Sequence, residues 1–132
     1  MNILFLTTHV NTGGITSYIL TLGETLVKSG HKVWVASSGG DNVSRIEAAG
    51  MRHLQINVRT KSELHPKLLL SMPPLLDLIR DEKINIIHAQ TRVTQVLGEV
   101  LSRLSGIKLV TTCHGFFRPR WFRKTFPCWG RL

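Results

Sequence analysis

The chain has 132 residues, a net charge of +9, 42% hydrophobic residues and two cysteines. Such a length and apolar content fit one globular domain, and they exclude a disordered chain or a small disulfide-stapled scaffold. The positive charge points to anionic partners, whether nucleic acid, an acidic lipid surface or a phosphorylated substrate.

The first residues, Met1 to Leu6, form a short apolar run that predicts a buried strand. No basic region precedes it and it is too short for a signal peptide. Thr7-Thr8-His9-Val10-Asn11-Thr12-Gly13-Gly14 follows as a glycine-containing turn. Ile15, Ile19, Leu22 and Leu26 then recur at helical spacing, predicting a helix over residues 14–29 closed by Gly30. A strand that turns through paired glycines into a helix presents free N–H groups and a positive dipole end, which favour an anion. Taken alone, Gly13-Gly14 reads equally as a tight strand-to-helix turn. It is neither a Walker A sequence nor a G-x-G-x-x-G.

Residues 32–36 (Lys-Val-Trp-Val-Ala) predict a second strand and residues 37–41 a loop. A short helix over 42–49 is expected to bury Val43, Ile46 and one of Ala48 and Ala49, ending at Gly50. Residues 51–56 give a third strand with Leu54 and Ile56 on one face. Polar residues 58–65 read as a loop, and Pro66 suits the first position of a helix reaching Glu82. Pro73-Pro74 predicts a kink or a break within it. The prolines and Asp77 also make the leucine-rich stretch 68–79 too interrupted to span a bilayer.

A fourth strand is expected over 84–88, a helix over 91–105 closed by Gly106, and a fifth strand over 108–112. The strict alternation of strand and helix predicts an α/β fold, a Rossmann-like doubly wound parallel sheet with strand order 3-2-1-4-5. In such sheets ligands lie beyond the carboxyl ends of the strands at the point where strand order reverses. That brings together the Thr8–Gly14 turn, the His88–Arg92 stretch and Cys113-His114-Gly115.

Within that crevice His88 reads either as a satisfied half-buried histidine or as a ligand contact. His114, next to a glycine at a strand end, is the better ligand-contacting candidate. Arg92 falls in the first turn of a helix, where the dipole opposes a cation, so it reads as an anion contact or a solvated surface residue. There is no nucleophile elbow and no paired-carboxylate site. Cys113, His114 and Cys128 lack a fourth ligand and zinc-like spacing, so no metal site is expected.

Residues 116–132 differ in composition. They combine six aromatics with five basic residues, among them Arg118, Arg120, Trp121, Phe122, Arg123 and Lys124, and carry no acid. This mixture suits a membrane surface or a lipid-linked acceptor. Aromatics packed on the core with their cations in water are the alternative, and single-stranded nucleic acid a weaker one.

Together, Thr12-Gly13-Gly14, Gly30-His31-Lys32-Val33, Ile86-Ile87-His88-Ala89 and Thr111-Thr112-Cys113-His114-Gly115 resemble the N-terminal domain of glycosyltransferase family 4, the retaining GT-B enzymes that use nucleotide sugars. The resemblance covers the whole chain as residues 1–132 of an N-terminal, acceptor-side domain. It implies that Gly13 and Gly14 approach the donor diphosphate and that His114 is catalytic, lying near the transferred sugar. Thr12, His88, Arg92 and Gly115 would line the acceptor side of the cleft. It further implies a nucleotide-sugar donor, a cell-envelope or lipid-linked glycan acceptor, no cofactor and no bound metal. The setting would be cytoplasmic, on the inner face of the cell membrane, with an anionic membrane surface as a partner. Family members often carry a second histidine two residues after the one matching His88; here Gln90 stands there. The C-terminal domain that holds most of the donor is expected to be absent, leaving a fragment inactive alone. The alternative class is a non-catalytic basic nucleic-acid-binding module, for which no recognised nucleic-acid motif is present, so nucleic acid is not an expected partner.

Overall fold

The computed structural model describes residues 1–58 and 67–112, with backbone only for residues 67–69. The elements are β1 (Asn2–Leu6), α1 (Gly14–Lys28), β2 (Lys32–Ser37), α2 (Val43–Ala48), β3 (Arg52–Gln55), α3 (Lys67–Asp81), β4 (Ile86–Ala89), α4 (Arg92–Ser105) and β5 (Lys108–Thr111). They form one five-stranded sheet in the order β3-β2-β1-β4-β5, every pairing parallel. This is the Rossmann-like α/β topology that the alternation predicts.

Strand side chains alternate between two covered faces, which is why the central strand is apolar at nearly every position. Leu4 and Leu6 of β1, with Ile87 and Ala89 of β4, pack against Leu75, Leu78 and Ile79 of α3 and Val93, Leu97 and Leu101 of α4. Ile3 and Phe5, with Val33 and Val35 of β2, pack on the other face against Ile19 of α1 and Ile46 of α2. Leu4, Phe5 and Leu6 are fully buried, each worth about 1.5–3 kcal/mol in water-to-core transfer. Leu54 and Ile56 share the α3–α4 face, as their period-two spacing requires.

Of the kink or break expected at Pro73-Pro74, the break does not occur. Helix α3 is continuous through Pro73 and Pro74 rather than broken in two. Both prolines lie on the exposed side, away from the packed face. The inner side keeps its register with Ser71, Leu75, Leu78 and Ile79 buried. Helix α4 ends at Gly106, whose φ of 76° is the left-handed closure expected of a glycine there.

Candidate functional site

The carboxyl ends of β1 and β4 lie side by side, and their chains leave toward opposite faces, β1 into α1 and β4 into α4. The last backbone bond between them runs from Gln90 N–H to the Leu6 carbonyl at 2.9 Å. Beyond it the two loops separate and leave a crevice, the switch point where ligands of open α/β sheets lie.

On one side stands the glycine turn. Gly13 is the N-cap of α1 in an extended conformation, with no side-chain cap and no acidic residue in the first turn. A Cβ at Gly14 would meet nothing within 4 Å, so there is room beside the first helical residue. The Thr16 hydroxyl turns back to the Asn11 carbonyl rather than capping the helix. First-turn amides without a side-chain cap, at a positive dipole end, are suited to an anion.

The turn is held from behind by the loop between β2 and α2. Val10 N–H donates to the Gly39 carbonyl at 3.0 Å, and Asn42 Nδ2, from a residue only 4% exposed, donates to the Val10 carbonyl at 3.0 Å. The same Nδ2 reaches Thr12 Oγ1 at 3.4 Å, and Asp41 N–H donates to Asn11 Oδ1 at 3.2 Å. Gly40, with φ of 149°, lies so close that a Cβ there would stand 2.7 Å from the Asn11 nitrogen. The sequence predicts no more than a plain loop for residues 37–41. The Gly39-Gly40 pair is the signal that could have shown more, since adjacent glycines often mark close backbone approach.

Behind this loop, His53 Nε2 on β3 lies 2.6 Å from Ser37 Oγ, which also accepts the Gly39 N–H at 3.0 Å. Burial holds the His53 imidazole below its ordinary pKa, and the Glu47 charge opposes that shift.

On the other side of the crevice, Thr91 is the N-cap of α4 and forms a reciprocal capping box with Thr94. Thr91 Oγ1 also meets Thr8 Oγ1 at 2.9 Å, across 83 residues of sequence. Arg92, the first residue of α4, is exposed. His88 is buried: its Nε2 lies 2.6 Å from Thr112 Oγ1, and its ring packs against Phe5 at 5.1 Å and edge-on to Tyr18 at 6.0 Å. Gln95 Nε2 donates to the Thr112 carbonyl at 3.3 Å. His88 and Gln95 thus both grip Thr112, where the chain leaves β5.

The described residues place Gly13, Gly14, Thr12, His88 and Arg92 around the carboxyl ends of β1 and β4. His114, Gly115, Arg118, Arg120, Trp121, Phe122, Arg123 and Lys124 lie outside the described residues, as does Cys113. Among the described residues no group of His, Cys, Asp or Glu is placed to hold a metal ion. No helix among them is long and apolar enough to cross a membrane. A cavity of about 550 Å³ lies at the opposite, amino ends of β4 and β5, lined by Met1, Ile84, Ile86, Ile107 and Lys108 among others. It is remote from this chemistry.

Comparison with known proteins agrees with the topology. A phosphatidylinositol N-acetylglucosaminyltransferase subunit from Arabidopsis thaliana is 28% identical over 113 residues, covering 81% of this chain and 25% of that protein. The chain therefore spans about a quarter of that relative's length. A glycosyltransferase structure from Rickettsia africae superposes with a TM-score of 0.78 at 19% identity, covering 95% of this chain and 32% of that one. Anabaena Alr3699/HepE, solved in complex with UDP-glucose, gives 0.66 at 17% identity over 87% of this chain and 29% of that one. These two structures share the fold, that of the GT-B glycosyltransferases. The family model Glycosyltransferase Family 4 matches residues 12–131, from the glycine turn almost to the last residue, and the chain belongs to that enzyme family.

Proposed function

We propose that this chain is the acceptor-side domain of a glycosyltransferase that moves a sugar from a nucleotide-sugar donor to a lipid-linked acceptor. The observation that carries the reading is the N-terminus of α1 at the carboxyl end of β1, without a side-chain cap and with room beside Gly14. In this reading Gly13 and Gly14 hold the donor diphosphate through backbone N–H groups. Thr12 and Arg92 lie on the acceptor side with Gly115, and His114 stands near the transferred sugar. His88 acts there through Thr112, since its Nε2 is already engaged by that hydroxyl.

The acceptor class takes support from the relatives, named for transfer of N-acetylglucosamine to phosphatidylinositol. Retention of anomeric configuration follows the family resemblance. The basic aromatic residues 118–124 would rest on an anionic membrane at its cytoplasmic face, keeping the crevice near a lipid acceptor. Family membership weighs against the nucleic-acid alternative, which rests on net charge and the basic aromatic residues 116–132.

Two measurements test this. Amide shifts of the labelled chain are followed with inositol 1-phosphate and with UDP-N-acetylglucosamine. Radiolabel transfer into phosphatidylinositol vesicles is measured for the chain alone and for the chain fused to a family C-terminal domain. Shifts at Gly13, Gly14 and Arg92, with transfer only by the fusion, are the expected results. No shift in the crevice and no transfer by the fusion would overturn the reading.

A further inference from the structure

Asn42 stands at the N-cap of α2, where an asparagine side chain ordinarily accepts a bond from a helix amide. Here it makes no such bond. The amide is turned across to the glycine turn, and its orientation is fixed by its partners. Nδ2 donates to the Val10 carbonyl, which can only accept. Oδ1 accepts from Arg45 Nη1 at 3.3 Å, and a guanidinium can only donate. The longer contact from Nδ2 to Thr12 Oγ1 runs the same way, because an amide nitrogen does not accept.

Val10 is fully buried, and its carbonyl also takes the Asn42 N–H at 3.1 Å. One residue thus supplies two donors to one buried carbonyl. Beyond β1 and β2 the same two segments stay paired, Ser38 N–H donating to the Thr8 carbonyl at 3.0 Å and Val10 N–H to the Gly39 carbonyl. Asn42 extends this pairing toward α1. Only Asn11 and Thr12 separate Val10 from Gly13, so a shift of Val10 is passed on to the helix start within two residues. An anion held by backbone N–H groups depends on their direction, since hydrogen bonds weaken steeply away from linearity.

We propose that Asn42 is a positioning residue for the donor diphosphate, setting the direction in which the first amides of α1 meet the crevice. This rests on the donor reading of the glycine turn given above. It adds what keeps that turn in its binding form. Asn42 touches no ligand; it acts through Val10 and the turn.

The test follows amide shifts of the labelled chain with UDP-N-acetylglucosamine, read at Gly13 and Gly14, and with inositol 1-phosphate, read at Arg92. The variants are Asn42→Ser and Asn42→Ala. Serine starts a helix as well as asparagine does, but its hydroxyl stops one bond short of the place of Nδ2. Alanine supplies neither a cap nor a donor. Both variants are expected to weaken UDP-N-acetylglucosamine roughly fivefold, the worth of one neutral hydrogen bond, and to leave inositol 1-phosphate unchanged. If Asn42 served only to start α2, Asn42→Ser would bind UDP-N-acetylglucosamine as the wild type does, and that result would overturn the proposal. So would equal weakening of both probes, the mark of a general loosening of the domain. Thermal unfolding checks that each variant is folded during the titration, and Asn42→Ser decides alone if Asn42→Ala is not. A wild-type chain with no shift in UDP-N-acetylglucosamine would refute the donor reading of the turn and this proposal with it. Wild-type binding that Asn42→Ser leaves unchanged would refute this proposal only.

Discussion

His88 Nε2 lies 2.6 Å from Thr112 Oγ1, joining the end of β4 to the residue that leaves β5. The imidazole is buried with Phe5 and Tyr18 beside it, so it serves as a packed prop more than an exposed acid or base. His88→Phe keeps the aromatic packing and loses the bond. It should lower unfolding free energy by about 1 kcal/mol, read from urea denaturation. His88→Ala loses the packing as well and should cost about 2–4 kcal/mol. Equal stability of the two variants would show that the ring contacts contribute little.

The glycines of the site separate folding from binding. Gly14→Ala places a methyl in open space within a helix, where alanine is favoured over glycine, so stability should hold or rise by up to about 1 kcal/mol. Gly40→Ala drives a Cβ into the Val10–Asn11 backbone at a φ of 149° and should cost about 2 kcal/mol or more. Melting curves check the order of the two. Gly14→Val should abolish transfer by the chain joined to a C-terminal domain and leave the fold intact; normal activity would remove the diphosphate role.

Stability should also depend on pH through His53. Its folded pKa lies below the ordinary 6.5, chiefly because of burial. As pH falls below about 6.5 the unfolded chain takes up this proton before the folded one, so stability is lost on acidification. His53→Gln should flatten the part of the profile just below pH 6.5 that His53 supplies. Glu47→Gln removes the opposing charge, so the imidazole should titrate still lower by NMR. An imidazole that titrates above its ordinary value would reverse the sign and refute this account.

Two helix glycines make a second graded pair. A methyl at Gly23 of α1 would overlap the Met51 sulfur, which is packed in the core. Gly23→Ala should therefore cost about 1–3 kcal/mol. At Gly98 of α4 the nearest atom is a terminal methyl of Leu109, 2.9 Å away on the edge strand β5. That methyl can turn aside, and alanine gains about 1 kcal/mol of helix propensity, so Gly98→Ala should be near neutral. Thermal unfolding of both variants decides the ranking.

The fold was legible because its signals are local and repeated. Apolar strands, helical spacing and closing glycines recur in strict alternation, and a parallel sheet is the architecture that buries both faces of such strands. The expected strand order alone sets the glycine turn next to the end of β4. Pro73-Pro74 does not break the helix because a proline's cost depends on which side of the helix it faces. Here α3 keeps both prolines exposed while Leu75, Leu78 and Ile79 stay buried.

Element order, the parallel sheet, the family and the position of the glycine turn at the end of β1 all follow from the order of residues along the chain. What holds that turn, and what faces it, is a matter of tertiary contacts. Asn42 and Gly40 meet Val10 and Asn11 from about 30 residues away, and Thr8 meets Thr91 across 83. None of these residue types carries a distinctive pattern, since threonine, asparagine and glycine are common in every loop. Their roles come from hydrogen bonds between loops that the sheet alone brings together, and such contacts leave no periodic trace in a single chain.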